Sequence, residues 1–387
     1  MSADGGGFFE GDRRPLVLYV LHHHEFSGAE TLQIPVLRAD PRGLVACPPG
    51  SRAEELVKSL GLPTVPLSFR TLRHSGGRLE TLRSAGRGLA GARDLRRVMR
   101  ERPERRIVYC VSIRSAMLAA IASLGMRRRL VWTLPDLMPP APLRQAVRML
   151  ARLACDRAIA LSQVIADDFA GGSRRLRRPL AVIHPGPELE RYPRPSTAPR
   201  PPHVAVLGAV SPTKRTDLAI EIASRLAAEV GDFRLDVIGR AQFREEDFAY
   251  ERDLHERVEH DERLSRRVRF VGYEADVAGR LRDCRVLLHC RPDEPFGMVL
   301  VEAMAAGAAV VAPGAAGPLE IVDHGRTGFL YAPGDAAEAA GHLARLLRDP
   351  DEAARMGAAG RERVEQHFTA ELQVAAVERV LEEVAGR

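Results

Sequence analysis

The sequence is most informative at residues 294–307, which read EPFGMVLVEAMAAG. Glu294 precedes a proline, and a residue before proline is pushed away from helical backbone angles. We therefore expect Glu294 to lie in a loop and a helix to begin near Phe296 or Gly297. Gly307 is suited to end that helix, because glycine is favoured just past a helix end. The segment predicts a loop carboxylate directly ahead of a short apolar helix.

A second carboxylate, Glu302, falls one to two turns into this helix, and residues 295–313 contain no Lys or Arg. A buried carboxylate without a partner costs several kcal/mol, so its partner must come from outside the helix. In one interpretation Glu302 bonds a neighbouring backbone amide and Glu294 is merely solvated. In the other, both accept hydrogen bonds from the hydroxyls of a polyol, while the helix start holds an anion. A sugar nucleotide supplies both groups.

Length and composition favour a soluble chain of two domains. The 387 residues exceed the size at which one hydrophobic core stops growing, and 45% are hydrophobic and 28% charged. The longest nearly apolar stretch, residues 115–126, is too short to span a bilayer, and the amino terminus lacks the apolar core of a signal peptide. We expect a cytoplasmic protein, or one at the inner face of the membrane. The five cysteines form no Cys-x-x-Cys pair, so we expect them to be reduced and mostly buried.

The charge is uneven along the chain. Residues 1–195 carry 32 basic and 18 acidic side chains, or +14, while the rest carries 25 against 33, or −8. Only Lys58 and Lys214 are lysines, so the arginine excess reflects a general bias and is weak evidence for a nucleic-acid partner, which we do not expect. The basic half favours an acidic or lipid-linked partner.

Short apolar runs alternate with segments of helical length, which predicts parallel sheets covered by helices. The runs lie at 16–21, 43–47, 107–111, 130–133 and 158–161, and again at 204–207, 233–238, 268–270, 286–289 and 309–312. Between the two sets, a proline-rich passage at 191–202 marks a linker. We predict an α/β protein of two doubly wound, Rossmann-like domains, residues 1–195 joined by a helix at 369–387, and residues 203–368. Ligands of such sheets bind beyond the carboxyl ends of the strands, so the cleft between domains is the expected site.

Residues 289–335, HCRPDEPFGMVLVEAMAAGAAVVAPGAAGPLEIVDHGRTGFLYAPGD, resemble the signature region of the retaining glycosyltransferases of family 4. The likeness includes the Glu-x7-Glu spacing, the Glu-Ala-Met-Ala helix and the Gly-Pro-x-Glu and Gly-x-Thr-Gly turns. A looser resemblance extends over residues 130–368, and residues 26–32 are similar to the glycine loop that opens these enzymes. The resemblance implies the two-domain GT-B fold.

The resemblance also implies roles for individual residues. Glu302 would hold the ribose hydroxyls of the nucleotide and Glu294 the donor sugar. Lys214 would neutralise the diphosphate leaving group; the alternative is a solvated loop lysine. The donor would also contact the backbone of residues 207–220, which resemble the family's diphosphate-binding loop, and the backbone of the helix start. The acceptor would contact the loops of the amino-terminal domain. The donor set is completed by Gly208, Phe296, Gly297, Met298 and Val299, and the loop set by Ser27, Gly28 and Asp136.

The chain departs from the family pattern in two places. Ala209 stands where the family usually has an arginine, for which Arg215 or Arg240 is a candidate substitute. Pro135 stands where the family often has a histidine, so that histidine's role does not transfer. Three adjacent histidines, His22, His23 and His24, either approach the donor sugar or form a polar loop, and they make a poor metal site.

Metal and cofactor are not expected. The Asp-x-Asp at 349–351 follows a long helix rather than a strand and is typical of a turn, so departure of the nucleotide should rely on Lys214, other basic side chains and helix amides.

The predicted reaction moves a sugar from a UDP- or GDP-sugar to a hydroxyl of a glycoconjugate, polysaccharide precursor or natural product, with retention of configuration. The acceptor would attack the face from which the diphosphate departs. Two alternatives stay open: a nucleotide-sugar epimerase or hydrolase of the same fold, and a non-catalytic sugar-nucleotide-binding protein. Residues 143–157 carry an apolar face of Val147, Leu150, Ala151 and Ala154, which favours a helix packed on the sheet and also suits a peripheral membrane contact.

Overall fold

A computed structural model describes residues 14–22, 28–68, 78–177, 179–194, 200–242 and 244–386. The chain forms two compact units. The first comprises Met1–Ala160, Ile165–Ile183 and Val374–Arg387, and the second Leu161–Val164 and His184–Gln373. The domain bounds predicted from the sequence stay a prediction alongside this division.

The first unit is built on a parallel sheet of seven described strands in the order β3-β2-β1-β4-β5-β6-β7. The strands are β1 Val17–Val20, β2 Leu44–Cys47, β3 Thr64–Pro66, β4 Ile107–Cys110, β5 Arg129–Leu134, β6 Arg157–Ala160 and β7 Leu180–Val182. The helices are α1 Gly28–Thr31, α2 Ile34–Ala39, α3 Arg52–Ser59, α4 Arg78–Glu101, α5 Ile113–Ala122, α6 Leu143–Ala154, α7 Gln163–Ala170 and α8 Arg174–Arg177.

The central strands β1 and β4 read VLYV and IVYC, and every residue of both is buried. Continuous apolar strands of this kind are typical of a parallel sheet that is covered on both faces. Their two tyrosines are buried with their hydroxyls satisfied: Tyr19 donates to Asp40 Oδ2 at 3.0 Å and Tyr109 to Gln33 Oε1 at 2.8 Å.

The second unit carries a parallel sheet of six described strands in the order β10-β9-β8-β11-β12-β13. These are β8 His203–Leu207, β9 Arg234–Ile238, β10 Val268–Gly272, β11 Val286–Leu288, β12 Ala309–Pro313 and β13 Gly328–Tyr331. The helices are α9 Thr216–Glu229, α10 Glu245–Glu259, α11 Glu262–Ser265, α12 Val277–Arg282, α13 Met298–Ala305, α14 Pro318–Ile321, α15 Ala336–Arg348, α16 Pro350–His367 and α17 Ala370–Ala385, whose residues from Val374 onward belong to the first unit.

Helix α13 is anchored by an almost wholly apolar sequence. Leu300, Val301 and Met304 are fully buried, and the helix packs on α16 and β12. Its start at Met298 lies within two residues of the predicted start, and Gly307 has the positive φ of +76° that suits a helix end. The short helix is therefore a rigid support for the residues at its amino end.

Two composition-based expectations can be compared with the structure. Cys47, Cys110, Cys284 and Cys290 are buried and all five cysteines are free, as predicted. Among the described helices, none combines the length and apolar character needed to cross a membrane. The predicted pair of doubly wound α/β sheets is confirmed.

Candidate functional site

Backbone rather than side chains forms the carboxyl edge of the second sheet where β8 and β9 end. Gly208 follows β8 and Gly239 follows β9, with φ of +140° and +136°. A Cβ atom on Gly239 would lie 1.9 Å from the Gly208 carbonyl oxygen, so no other residue fits there without displacing the loop. Carboxyl ends of parallel strands are where such sheets bind ligands, and this edge offers close access to backbone.

Lys214 is the first charged residue after β8. It ends a single 3₁₀ turn, Pro212–Lys214, whose start is capped by the hydroxyl of Ser211. Its ammonium Nζ donates to Glu294 Oε2 at 2.7 Å, and about 30% of its side chain is exposed. Lys214 is thus held at the site by Glu294 rather than extended into solvent as a loop lysine.

Glu294 is a buried carboxylate bordered by three basic side chains. Besides Lys214, His289 Nε2 lies 3.4 Å and Arg291 Nη1 4.0 Å from its Oε2 atom. Burial alone would raise the pKa of Glu294, but His289 and Lys214 outweigh burial and hold that pKa at about 2. Glu294 is therefore charged at any physiological pH, and it accepts hydrogen bonds only.

The loop that carries Glu294 is fixed through its backbone. Gly317 N donates to the Glu294 carbonyl at 2.9 Å, and Ser162 Oγ donates to the Pro295 carbonyl at 2.6 Å. A Cβ atom on Gly317 would lie 2.2 Å from the carbonyl oxygen of Phe296. These contacts leave the position of the carboxylate little freedom.

The start of α13 has no side-chain cap. Gly297, the residue before the helix, has φ of +113° and offers no hydrogen-bonding side chain. Backbone amides at an uncapped helix start are donors with a partial positive charge, which favours anions such as phosphate. Phe296 is buried beside this start and stacks on His184 with ring centroids 5.5 Å apart.

Glu302 lies in a very different environment from Glu294. It is half-buried on α13, and the described residues provide its carboxylate with no hydrogen-bond donor. Burial raises the pKa of Glu302 to about 7, and the positive charge of Arg191 offsets only part of that rise. The partner expected from outside the helix is therefore an electrostatic one, and the carboxylate keeps capacity to accept hydrogen bonds.

Arg215 and Arg240, the two candidate substitutes for an arginine at the Ala209 position, differ in their partners. Arg215 is the residue before α9 and has φ of +55°, and its guanidinium Nε lies 3.3 Å from Asp217 Oδ1, which in turn accepts from the Tyr250 hydroxyl. Arg240 is exposed and lies 5.9 Å from the ring centre of Tyr273, with no carboxylate partner among the described residues. Arg240 is the arginine that remains available to a ligand.

The candidate acceptor residues belong to the first unit. Gly28 is the first residue of α1, and Asp136 is exposed just after β5, where its Oδ1 accepts from Leu137 N at 2.8 Å. Ser27, His23 and His24 lie outside the described residues. His22 is buried, with its Nδ1 atom 3.0 Å from Ser112 Oγ and 3.9 Å from Glu30 Oε1.

Several residues of the site were not predicted. His289 and Arg291 frame Glu294, and their signal was the polar triplet His-Cys-Arg directly after the buried strand β11. Glu320, in the Gly-Pro-x-Glu turn, accepts from the backbone amides of Gln163 and Val164 and lies 3.0 Å from His184 Nε2. Within the described part of the chain, no group of three or more His, Cys, Asp or Glu side chains could hold a metal ion.

Comparison with known proteins identifies the region that contains this site. Residues 190–363 match the family model for glycosyl transferases group 1. The matched residues lie within the second unit and include Lys214, Glu294 and Glu302.

Two curated relatives are similar to parts of the chain. The human alpha-1,3/1,6-mannosyltransferase ALG2 is 33% identical over 133 residues, which is 32% of each protein. The D-inositol 3-phosphate glycosyltransferase of Streptomyces avermitilis is 32% identical over 229 residues, 53% of this chain and 47% of the relative. The chain spans about a third to a half of the length of these relatives.

The fold matches solved structures over nearly its whole length. The crystal structure of Anabaena HepE in complex with UDP has a TM-score of 0.80 at 25% identity and covers 95% of this chain and 100% of that one. HepE in complex with UDP-glucose gives a TM-score of 0.79 with coverage of 95% and 99%. The predicted α/β GT-B fold class is confirmed.

Proposed function

We propose that the chain is a glycosyltransferase that uses a nucleoside diphosphate sugar as donor. The observation that carries the proposal is the Lys214–Glu294 pair, held at 2.7 Å beside the glycine-lined edge formed by Gly208 and Gly239. Glu294 is a buried anion and Lys214 a partly exposed cation, so the pair can contact both the sugar and the phosphates of such a donor. The carboxylate accepts from sugar hydroxyls, and the ammonium faces the phosphates.

The nucleotide part of the donor has its own candidate contacts. Glu302, with unused acceptor capacity, suits the two hydroxyls of a ribose, and the amides at Gly297, Met298 and Val299 suit phosphate oxygens. We infer that Arg240, which is exposed and has no carboxylate partner among the described residues, adds a second positive charge in place of the arginine missing at Ala209. The complexes of HepE with UDP and UDP-glucose favour a UDP-sugar over a GDP-sugar as the first donor to test.

We propose transfer with retention of anomeric configuration. The acceptor oxygen bonds to the anomeric carbon as the bond from that carbon to the phosphate oxygen breaks, and the acceptor proton passes to the departing phosphate. Lys214 and the α13 amides stabilise the charge that develops on the diphosphate, so no metal ion is required. Glu294 orients the sugar, and its low pKa makes it unsuitable as a proton donor.

The acceptor is proposed to be a hydroxyl of a glycoconjugate, polysaccharide precursor or natural product, bound by the first unit near Ser27, Gly28 and Asp136. Asp136 is exposed after β5 and is suited to accept a hydrogen bond from such a hydroxyl. The basic first half of the chain, at +14, is compatible with an acidic or lipid-linked acceptor.

Ligand-induced thermal stabilisation tests the donor site directly. UDP, GDP, ADP and dTDP sugars are added to the wild-type chain, Glu302→Ala and the exposed control Glu259→Ala, all with EDTA present. We expect one nucleotide to raise Tm by a few degrees in wild type and control, and to have no effect on Glu302→Ala. A folded wild type that responds to no nucleotide would contradict the proposal.

The reaction itself is followed by NMR with the donor identified in this way. A product of retained configuration on an acceptor supports the transferase, and an inverted product contradicts the mechanism. Turnover of the donor without any acceptor would identify the epimerase or hydrolase alternative, and binding without turnover the non-catalytic one.

A further inference from the structure

Exposed apolar side chains of the first unit are concentrated on three neighbouring helices. The described part of the unit has seven large hydrophobic side chains that are exposed, and six of them lie on or directly after α4, α5 and α6. These six are Leu89, Ile121, Leu124, Leu143, Met149 and Leu153. Isolated exposed leucines are ordinary, but such a concentration marks a contact surface.

The three helices share one face of the sheet. The crossovers from β3 through α4 to β4, from β4 through α5 to β5, and from β5 through α6 to β6 all step the same way across the strand order. Right-handed crossovers in one direction place their helices on one face. Helix α5 packs against both α4 and α6, and Arg96 Nη1 ties α4 to the turn after α5 by donating to the Leu124 carbonyl at 2.6 Å.

Helix α6 has two apolar faces, and only one of them packs within the unit. Val147 and Ala151 are buried, so the apolar face noted in the sequence is directed inward. Met149 and Leu153, one helical turn apart, lie on the opposite side and are 57% and 76% exposed. Leu124, 67% exposed, follows α5. The outward pair contributes little to the core of the described unit.

Positive charge surrounds these side chains. Residues 88–154 contain 14 arginines and 4 acidic residues, a net charge of +10, whereas the whole chain carries +6. Six of these arginines are exposed and have no carboxylate partner among the residues the structure describes: Arg93, Arg100, Arg102, Arg106, Arg127 and Arg152. Arg127 and Arg152 lie beside the exposed leucines in sequence. An apolar surface in a basic field matches an anionic membrane surface, which offers hydrocarbon and negative headgroups together.

The exposed leucines and arginines lie at the same end of the sheet. Each of α4, α5 and α6 ends shortly before its next strand begins, so Arg100, Leu124, Arg127, Arg152 and Leu153 all lie toward the amino-terminal ends of β4, β5 and β6. We propose that this basal surface, defined by Leu124, Arg127, Met149, Arg152 and Leu153, docks on anionic phospholipid bilayers. The docking goes beyond the proposed reaction and does not require it.

Co-sedimentation of the full chain with vesicles tests the docking without nucleotide or acceptor. Phosphatidylcholine vesicles are compared with vesicles in which phosphatidylglycerol replaces part of the phosphatidylcholine. We expect binding to the anionic vesicles only, and weaker binding as salt is raised. Absence of binding to the anionic vesicles at low salt would overturn the proposal.

Two double variants separate the electrostatic contribution to vesicle binding from the apolar one. Each arginine near an anionic surface contributes about a fivefold gain in binding, so Arg127→Gln with Arg152→Gln should weaken binding about 25-fold. Leu124→Ser with Leu153→Ser should weaken it at least about tenfold, because two apolar side chains lose their burial in the bilayer. The controls are Arg266→Gln with Arg355→Gln, which make the same charge change at exposed positions of the second unit, and the exposed Leu372→Ser.

Two outcomes of these variants would overturn the proposal. Equal weakening by the control pair would mean that net charge alone drives binding. An effect of the arginines without any effect of the leucines would indicate a polyanion site rather than a bilayer surface. Unchanged thermal unfolding of each variant confirms that its fold is intact.

Oxidation of Met149 gives an independent footprint. Exposed methionine is oxidised by hydrogen peroxide, and insertion into headgroups should slow oxidation of Met149 severalfold, with buried Met356 as internal reference. Bound protein in which Met149 remains as reactive as in solution would show docking through a different surface and overturn the assignment.

Discussion

Two carboxylates eight positions apart on one short segment have opposite protonation behaviour. The pKa of Glu294 is lowered to about 2 because His289 and Lys214 outweigh burial, and the pKa of Glu302 is raised to about 7 because burial outweighs the positive charge of Arg191. At neutral pH, Glu294 is a fixed acceptor, while Glu302 is close to its titration point. Both carboxylates are proposed to accept hydrogen bonds from neutral hydroxyls, Glu294 from the donor sugar and Glu302 from the ribose, so near neutral pH only the ribose contact should vary with protonation.

Replacement of Glu294 should reveal its contribution to stability. Its pKa falls from 4.5 to about 2 on folding, so the charged form stabilises the native state above pH 4.5, and that stabilisation is lost as pH falls toward 2. We expect Glu294→Gln to lower the free energy of unfolding by about 3 kcal/mol at pH 7. Urea unfolding at pH 7 and pH 3 measures this.

Glu54→Gln is the matched control, because Glu54 also pairs with a lysine, Lys58, at 2.8 Å but near the surface. Glu54→Gln should lower the free energy of unfolding much less than Glu294→Gln does. Equal losses for the two variants would show that the pair at the site has no special environment.

For Glu302, the dependence of stability on pH should have the opposite sign. Its pKa rises on folding, so the native state is unaffected below pH 4.5 and loses stability as pH rises from 4.5 through about 7. Glu302→Gln should therefore stabilise the ligand-free protein by about 1–2 kcal/mol at pH 8, after allowance for partial exposure, and by nothing at pH 4. Urea unfolding at both pH values measures the change, and destabilisation at pH 8 would disprove it.

The same titration should appear in nucleotide binding. A ribose donates to the charged carboxylate, so affinity should fall about tenfold from pH 8 to pH 6 in the wild type. Calorimetric titration should show no such dependence in Glu302→Gln, which binds weakly at both pH values. A wild-type affinity independent of pH would remove Glu302 from the nucleotide site.

At the scale of elements, the site depends on how closely the turn before α14 approaches the loop before α13. Gly317 donates to the Glu294 carbonyl, and its own α-carbon faces the Phe296 carbonyl with no room for a side chain. The loop therefore holds Glu294 through backbone contacts, which survive changes of side chain elsewhere but do not tolerate added volume.

Gly317→Ala should cost about 1–3 kcal/mol of stability and weaken donor binding, because the new methyl group displaces the Glu294 loop. Gly341→Ala is the control: it lies inside α15 with nothing within 4 Å of its Cβ position, so it should stabilise the protein by about 0.5–1 kcal/mol. Urea unfolding and calorimetry compare the two. A Gly317→Ala variant as stable as wild type would show that the loop is not constrained there.

At the scale of the whole molecule, the sequence predicts the two sheets and the α13 segment because these depend on local patterns. Apolar runs, proline before a helix and glycine after it act over a few residues. The surroundings of Glu294 could not be predicted in the same way. Lys214 lies 80 residues away in the chain, and its pairing with Glu294 exists only after β8 and β11 become neighbours in the sheet.

Other features were beyond sequence reasoning for related reasons. Nothing in the order of residues indicates that Asp217 contacts Arg215 while Arg240 has no carboxylate partner among the described residues, since both depend on how the loops after β8 and β9 fold. The basal surface was predicted only in part: the sequence allowed a membrane contact of α6 through the face that includes Val147 and Ala151, which is buried, while the exposed Met149 and Leu153 on the opposite face are evident only when the packing is known.

The most direct test of the central claim is calorimetric titration, with EDTA present, of the nucleotide that gives thermal stabilisation. Wild type is compared with Lys214→Ala and with Lys58→Ala, which removes the only other lysine of the chain. A hydrogen bond to a charged group contributes about 1.5–3 kcal/mol, so Lys214→Ala should bind about 10- to 100-fold more weakly, and Lys58→Ala like wild type. Wild-type affinity in Lys214→Ala would contradict a diphosphate site at this pair.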